Sequence, residues 1–141
     1  MEDEGLVSAK LESLMRCIHR IELKRPDSLA TLEADLDVQD ILAVNLERAV
    51  QLCVDICMHL LSSRGLPVPG TMAEGFGAAA DAGHFPPELA KRLARGVGFR
   101  DIAVHQYDKI NWKIVYDIVW KRLGDFREFS GYVTESMQSR S

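Results

Sequence analysis

The sequence has no apolar run long enough to cross a membrane, and it contains few aromatic residues. Aromatic residues make up 7% of the 141 positions, although hydrophobic residues as a whole reach 47%. A membrane-spanning helix needs about 20 consecutive apolar residues, which excludes an integral membrane protein of the helical type. The start, Met1–Gly5, is acidic and lacks the apolar core of a secretory signal. We therefore expect a cytoplasmic protein without a membrane partner.

An excess of basic charge is also missing. The chain has 17 Lys and Arg residues against 21 Asp and Glu, for a formal net charge of −4. Because nucleic-acid binding usually requires positive potential, any such role must depend on a local cluster. Residues 84–100 form one, with four cations and one carboxylate. A polyanion can dock on such a cluster. Its candidate phosphate contacts, besides Arg100, are Lys91, Arg92 and Arg95.

Cysteine is scarce, and its spacing does not indicate a metal site. Cys17, Cys53 and Cys57 are odd in number, and no additional Cys or His pair completes a zinc-binding pattern. Cys53 and Cys57 lie four residues apart within an apolar helical pattern. We expect buried, reduced thiols, no metal and no other cofactor.

Helical periodicity dominates the chain, and strand-like alternation is absent from it. The first segment has one apolar stripe in steps of four and three residues. That stripe contains Val7, Leu11, Leu14, Ile18 and Ile21. Segment 37–63 lacks Gly and Pro and is apolar around most of its circumference. Such a helix must be covered on two sides, and the second cover could come from a partner chain.

Turn and cap residues divide the helical pattern into segments. The Gly and Pro residues of Ser62–Gly70 end the long apolar helix. Thr71 followed by Glu74 is a capping-box pattern that opens a short helix. Pro86–Pro87 suits the first turn of the next helix. Glycines at 96 and 98 indicate either tight helix packing or close approach of a ligand or another chain.

The remaining boundaries complete the predicted fold. Residues 27–36 are polar and mixed, which predicts a linker ending in a helix cap at Asp35 or Asp37. After a short polar connection, one final amphipathic helix runs from about residue 112 past 129. We predict an all-α up-and-down bundle of four longer helices plus one short helix. The chain would form a single domain over 1–141, with its core at about 6–130 and a frayed tail at 134–141.

The chemically distinctive stretch is Arg100–Tyr107, at the point where an apolar helical pattern stops. At about 100° per residue, Arg100 and His105 point roughly 140° apart on a continuous helix. They can therefore converge only if the helix ends between them or if a second chain supplies one of the pair. Either arrangement places polar groups at a helix end, where they can face a ligand.

Arginine and histidine together suit the cleavage of RNA without a metal. The guanidinium of Arg100 can bind a phosphate with two parallel hydrogen bonds. His105 can take the proton of a 2′-hydroxyl while Arg100 stabilises the charged transition state. No second His lies nearby in the sequence to give a proton to the leaving oxygen. A symmetric dimer would supply one from the other copy. Taken singly, each residue is better explained as a local structural group, so only the three-residue pattern with Tyr107 is specific.

In that form the pattern resembles a known family motif. Arg100-x4-His105-x-Tyr107 is similar to the Arg-x4-His-x-Tyr motif of HEPN-domain toxins, above all that of the HepT branch. Three further stretches, Arg16–Ile21, Val44–Ala49 and Cys53–Ile56, also resemble this branch. The likeness covers about residues 6–130 in the same order.

The resemblance implies a homodimeric HEPN-type bundle that is the metal-independent ribonuclease toxin of a type VII-like toxin–antitoxin module. Its substrate would be tRNA or mRNA. Arg100 and His105 of both protomers would be catalytic in a cleft at their interface, with Asp101 supporting them. Tyr107 would be AMPylated by an MNT-type nucleotidyltransferase antitoxin, and the added nucleotide would block the cleft and repel RNA. The alternative is a non-catalytic helical module that binds a nucleotidyltransferase or a nucleotide.

Overall fold

A computed structural model of the chain describes residues 2–139, with side chains from residue 4 onward, and all regular structure in that range is helical. The helices are α1 (Glu2–Lys24), α2 (Leu29–Ala34), α3 (Leu36–Ser63), α4 (Met72–Asp81), α5 (Pro87–His105), α6 (Trp112–Lys121) and α7 (Leu123–Gln138), with a 3₁₀ turn at Tyr107–Lys109. None of these helices has the length and apolar character needed to cross a membrane. The predicted all-α fold is confirmed.

Helix α3 forms the centre of the bundle. α1 packs along one side of it, while α4 and α5 pack on each other and on another side of α3. Thirteen of its residues are buried, spread around most of its circumference. The helices that cover α3 on two sides therefore belong to the same chain, and a partner chain is not needed to bury α3.

The core is built from the apolar faces that the sequence indicates. All five residues of the α1 stripe are at most 7% exposed. The core extends to α7, where Phe129 is fully buried and its ring lies 5.4 Å from that of Phe85. Asn45 is buried within α3, and its Nδ2 donates to the Ile41 carbonyl at 2.8 Å. Asn45 is therefore a satisfied polar group of the core.

The two glycines before the Arg–His stretch have different surroundings. A Cβ at Gly96 would lie 3.0 Å from Cγ2 of Val50, which is tighter than an ordinary contact. Gly96 thus allows α5 to approach α3 closely, and tight helix packing is its explanation. At Gly98 a Cβ would meet no atom within 4 Å, so close approach within the chain does not explain this residue.

The segment predicted as a linker contains a short helix. Ser28 caps α2 by accepting a hydrogen bond from the backbone N–H of Thr31, and Leu32 is fully buried. Six residues are too few to show helical periodicity, so the linker prediction for 27–36 is wrong over Leu29–Ala34. The predicted cap is present at Asp35, whose Oδ1 accepts from the Val38 N–H at 3.1 Å.

The end of the chain also differs from the prediction. The single final helix is divided into α6 and α7 at Arg122, which lies between them. α7 continues through Gln138, because Val133 is buried and Met137 packs against the core. The frayed tail is therefore wrong for residues 134–138, and residues 140–141 lie outside the described part of the chain.

Contacts from the α1–α2 connection hold α6 in place. The guanidinium carbon of Arg25 lies 3.8 Å from the ring centroid of Trp120. Trp120 Nε1 donates to the carbonyl of Pro26 at 3.0 Å, and the Tyr116 hydroxyl donates to that of Asp27 at 2.7 Å. These contacts anchor the second half of α6, the helix that begins five residues after Tyr107.

The cap at Asp35 leads to a stability prediction. We expect Asp35→Ala to lower the free energy of unfolding by about 1 kcal/mol, because the Val38 N–H at the helix start loses its acceptor. Asp37→Ala is the matched control, since Asp37 lies exposed in the first turn of α3. It should cost only about 0.3 kcal/mol through the helix dipole. Urea unfolding measures both, and equal losses would contradict the cap assignment.

Candidate active site

The chain keeps Arg100 and His105 on one uninterrupted helix. α5 runs from Pro87 to His105, and it closes at Gln106, whose N–H donates to the Ile102 carbonyl at 2.8 Å. The helix does not end between the two residues, so its geometry directs them roughly 140° apart. Of the two ways in which they could converge, only contact with a second chain remains.

Arg100 is mostly buried and has one unsatisfied donor. Its side chain is 18% exposed, and its Nη1 donates to Oδ1 of Asp101 at 3.2 Å. Its Nε is buried and has no hydrogen-bond partner among the described residues. A buried donor left unpaired is unfavourable by about 1–3 kcal/mol, and an anion or a second copy is a natural source of the missing acceptor. Asp101 touches Arg100, and its supporting role stays a prediction.

His105 lies exposed at the last position of α5. Two apolar neighbours, Ile102 and Val104, are also exposed, at 39% and 45%. Two positions apart on a helix, they point to different sides of α5, Ile102 nearer to His105 and Val104 nearer to Arg100. Each of the two motif residues therefore has an exposed apolar neighbour.

Tyr107 follows in the 3₁₀ turn and is held by α3. Its hydroxyl donates to Oδ1 of Asp40, and its ring meets Trp112 edge-on at 6.1 Å. Burial and, next, the Asp40 carboxylate raise the pKa of the Tyr107 phenol well above its ordinary value. The residue is nevertheless 40% exposed, so a partner can reach it. Sequence reasoning missed Asp40, which lies 67 positions away and belongs to no motif.

The candidate RNA contacts on α5 do not all have the same surroundings. Lys91 and Arg95 are exposed. Arg92, in contrast, donates through Nε to Asp125 at 2.9 Å and through Nη2 to Glu128 at 3.2 Å. Its charge is already neutralised by two carboxylates, and it ties α5 to α7. In the structure Arg92 forms an ion pair between helices, and its contact with RNA stays a prediction.

A groove lies between α5 and α6, next to the motif. Its cavity volume is about 360 Å³. The lining combines apolar side chains with four cations and one carboxylate. Arg92 and the carboxylate, Asp125, form an ion pair. The other three cations are Arg95, Lys109 and Arg122. Lys109 and Arg122 were missed by sequence reasoning because only the fold brings them beside Arg95. These positive charges are concentrated at the groove, although the net charge of the whole chain is negative.

The thiols are all buried, as the sequence predicts. Cys17, Cys53 and Cys57 are free, and burial raises the pKa of each thiol. A raised thiol pKa leaves little reactive thiolate, so these residues act as small core side chains. Among the side chains that the structure describes, residues 4–139, no three from His, Cys, Asp or Glu are grouped so that they could hold a metal ion.

Comparison with known proteins identifies relatives over nearly the whole chain. The family model "Ribonuclease HepT-like" matches residues 14–133. The mRNA nuclease HepT of Shewanella oneidensis is 32% identical over 124 residues, which cover 88% of this chain and 92% of the relative.

Solved structures agree with that result. A tri-AMPylated HEPN toxin from Shewanella oneidensis, in complex with its MNT antitoxin, superposes with a TM-score of 0.85 at 30% identity. This match covers 92% of the present chain and 96% of the toxin. A toxin–antitoxin structure with AMP-PNP gives a TM-score of 0.87 at 29% identity, covering 93% and 98% of the two chains.

These matches confirm the resemblance that the Arg-x4-His-x-Tyr pattern indicated, and with it the all-helical HEPN-type fold. The family model spans from the buried Leu14 of α1 to the buried Val133 of α7, and it therefore includes every residue of the candidate site. With both the sequence and the fold in agreement, the chain belongs to the HepT-like ribonuclease family.

Proposed function

We propose that this chain is the ribonuclease toxin of a toxin–antitoxin module and that it cleaves RNA without a metal in a cleft between two copies. The observation that carries the proposal is the unbroken course of α5 through Arg100 and His105. One copy directs the two side chains apart, whereas two copies related by a twofold axis can bring both pairs into a shared cleft. The exposed Ile102 and Val104 provide apolar contact area for that interface.

The chemistry follows from the two side chains. His105 of one copy accepts the proton of the 2′-hydroxyl, and the oxygen then attacks the adjacent phosphorus. His105 of the other copy donates a proton to the 5′-oxygen as the P–O bond breaks. Arg100 donates hydrogen bonds to the phosphate oxygens, whose charge increases in the transition state. Its Nε supports this role, since a phosphate supplies the acceptor that none of the described residues provides.

RNA would reach the cleft along the cationic groove. Arg95, Lys109 and Arg122 line it, and the exposed Lys91 lies one helical turn before Arg95. These side chains can bind the RNA backbone regardless of base, which suits an enzyme that acts on mRNA or tRNA. Such substrates place the reaction in the cytoplasm.

An MNT-type nucleotidyltransferase would silence the toxin by transferring AMP from ATP to Tyr107. The related toxin in complex with MNT antitoxin is described as tri-AMPylated. In this chain Tyr107 is an exposed phenol two residues after His105. A nucleotide attached there would occupy the cleft and add negative charge, which repels RNA.

This proposal predicts a defined mass change. When the chain is expressed with its nucleotidyltransferase partner, we expect additions of about 329 Da per AMP on Tyr107. Intact mass and peptide mapping measure them. Tyr107→Phe should receive none and should arrest growth even with the partner present, because the silencing site is gone. Tyr132→Phe, which removes another exposed tyrosine, should be modified as the unaltered chain is.

Two results would count against these assignments. Modification that persists in Tyr107→Phe would move the target to another residue. A purified chain that binds the nucleotidyltransferase and cuts neither mRNA nor tRNA would instead identify the non-catalytic binding module.

A further inference from the structure

The carboxylate that holds Tyr107 has no role in the proposed RNA cleavage. Asp40 lies in the second turn of α3, and its Oδ1 accepts the hydrogen bond of the Tyr107 hydroxyl. Both residues are exposed, so this contact lies at the surface, where a partner protein can reach it. The Tyr107 oxygen is also the atom that would attack ATP during AMPylation.

We propose that Asp40 is the general base for AMPylation of Tyr107, so that the target protein supplies a catalytic residue for its own modification. The inference rests on the proposed function, because it concerns the proposed reaction at Tyr107. It is carried by geometry: the carboxylate oxygen already bonds to the proton that must leave.

As the phenol oxygen forms a bond to the α-phosphorus of ATP, its proton moves to Oδ1 of Asp40. The bond from the α-phosphorus to the bridging oxygen of the β-phosphate breaks, and pyrophosphate leaves with its electron pair. Exposed to solvent, Asp40 then returns the proton to water. Without such a base the phenol would stay protonated near neutral pH, since even an ordinary tyrosine has a pKa of about 10.

Other acids near the site are less suited to this task. Asp101 accepts a hydrogen bond from Arg100 at 3.2 Å. Asp108 directly follows Tyr107 in sequence and is exposed, but the phenol hydroxyl points to Asp40. Asp108 is therefore a matched control. It carries the same charge as Asp40 and lies in the same 3₁₀ turn as Tyr107, but the Tyr107 hydroxyl does not donate to it.

The experiment measures how fast the copurified MNT-type nucleotidyltransferase adds the first AMP when Mg²⁺ and ATP are present. This rate is compared between the unaltered chain and its variants. Asp40→Asn preserves size and the ability to accept a hydrogen bond while removing the base. We expect it to slow AMPylation by about 10²-fold at neutral pH. Asp108→Asn should react as the unaltered chain does, and Asp40→Glu should recover part of the rate.

The pH profile separates a base from a residue that merely positions the phenol. In Asp40→Asn the reacting species is the phenolate, whose fraction rises roughly tenfold per pH unit below its pKa. The defect should therefore shrink as pH rises toward that pKa. A defect of equal size at every pH would overturn the proposal and leave Asp40 a positioning residue.

A titration without the partner tests the contact itself. The phenolate of Tyr107, followed by ultraviolet absorbance as the difference from Tyr107→Phe, should form at lower pH in Asp40→Asn. An unchanged titration would overturn the inference, as would full AMPylation of Asp40→Asn at neutral pH. Failure of the unaltered chain to accept AMP on Tyr107 would overturn the proposed function as well, which distinguishes the two failures.

Discussion

His105→Ala should abolish growth arrest and lower the rate of RNA cleavage by about 10²–10⁴-fold, the usual contribution of a general acid–base residue. The loss should be large because the shared cleft loses the His105 side chains of both copies at once. His105 is exposed at the end of α5, so the substitution removes no core contact. The variant should keep its helical circular dichroism, its melting temperature and its dimeric mass in solution.

His19→Ala is the matched control for that variant. His19 is exposed on α1, away from the Arg100–Tyr107 stretch, and its replacement should leave cleavage unchanged. Cleavage assays with purified RNA in the presence of a chelator test the catalytic assignment directly. Unreduced toxicity of His105→Ala, in a folded dimer, would remove His105 from the mechanism.

Arg100→Ala should lower the rate of cleavage by about 10²–10³-fold, as expected when one donor to the transition-state charge is lost. Arg100→Lys should recover little of it, because a lysine cannot donate the parallel pair of hydrogen bonds that a guanidinium offers. Single-turnover cleavage rates measure both. Arg20→Lys, at an exposed position of α1, is the control and should be neutral.

The stability of the Arg100 variants provides a second, independent readout. Because Nε of Arg100 is buried without an acceptor among the described residues, removing the side chain should not lower the melting temperature of the free protein. A residue that served the fold would behave in the opposite way. A clear loss of stability in Arg100→Ala, with cleavage retained, would therefore assign Arg100 to the structure.

Much of the fold could be predicted because it depends on neighbours in sequence. The α1 stripe, the cap at Thr71 and the start of α5 at Pro87 each depend on residues within one or two turns. The long apolar pattern of α3 likewise predicted a central helix, although not which helices cover it. The break at Arg122 escaped prediction because α6 and α7 continue one apolar pattern.

The motif and its chemistry could be predicted for the same reason, since Arg100, His105 and Tyr107 lie within eight consecutive residues. The side chains that surround these residues could not be predicted, because they come from distant segments. Asp40 reaches Tyr107 across 67 positions, and Asp125 neutralises Arg92 across 33. No local pattern records such pairs.

Local periodicity and spacing thus suffice for the helices, the buried thiols and the identity of the reacting groups, because each depends on backbone geometry over a few residues. Packing of the whole chain settles which charges are already paired and which buried donor has no acceptor among the described residues. These properties arise from contacts between helices far apart in sequence. The ion pair of Arg92 with Asp125, and the bond from Tyr107 to Asp40, belong to this second group.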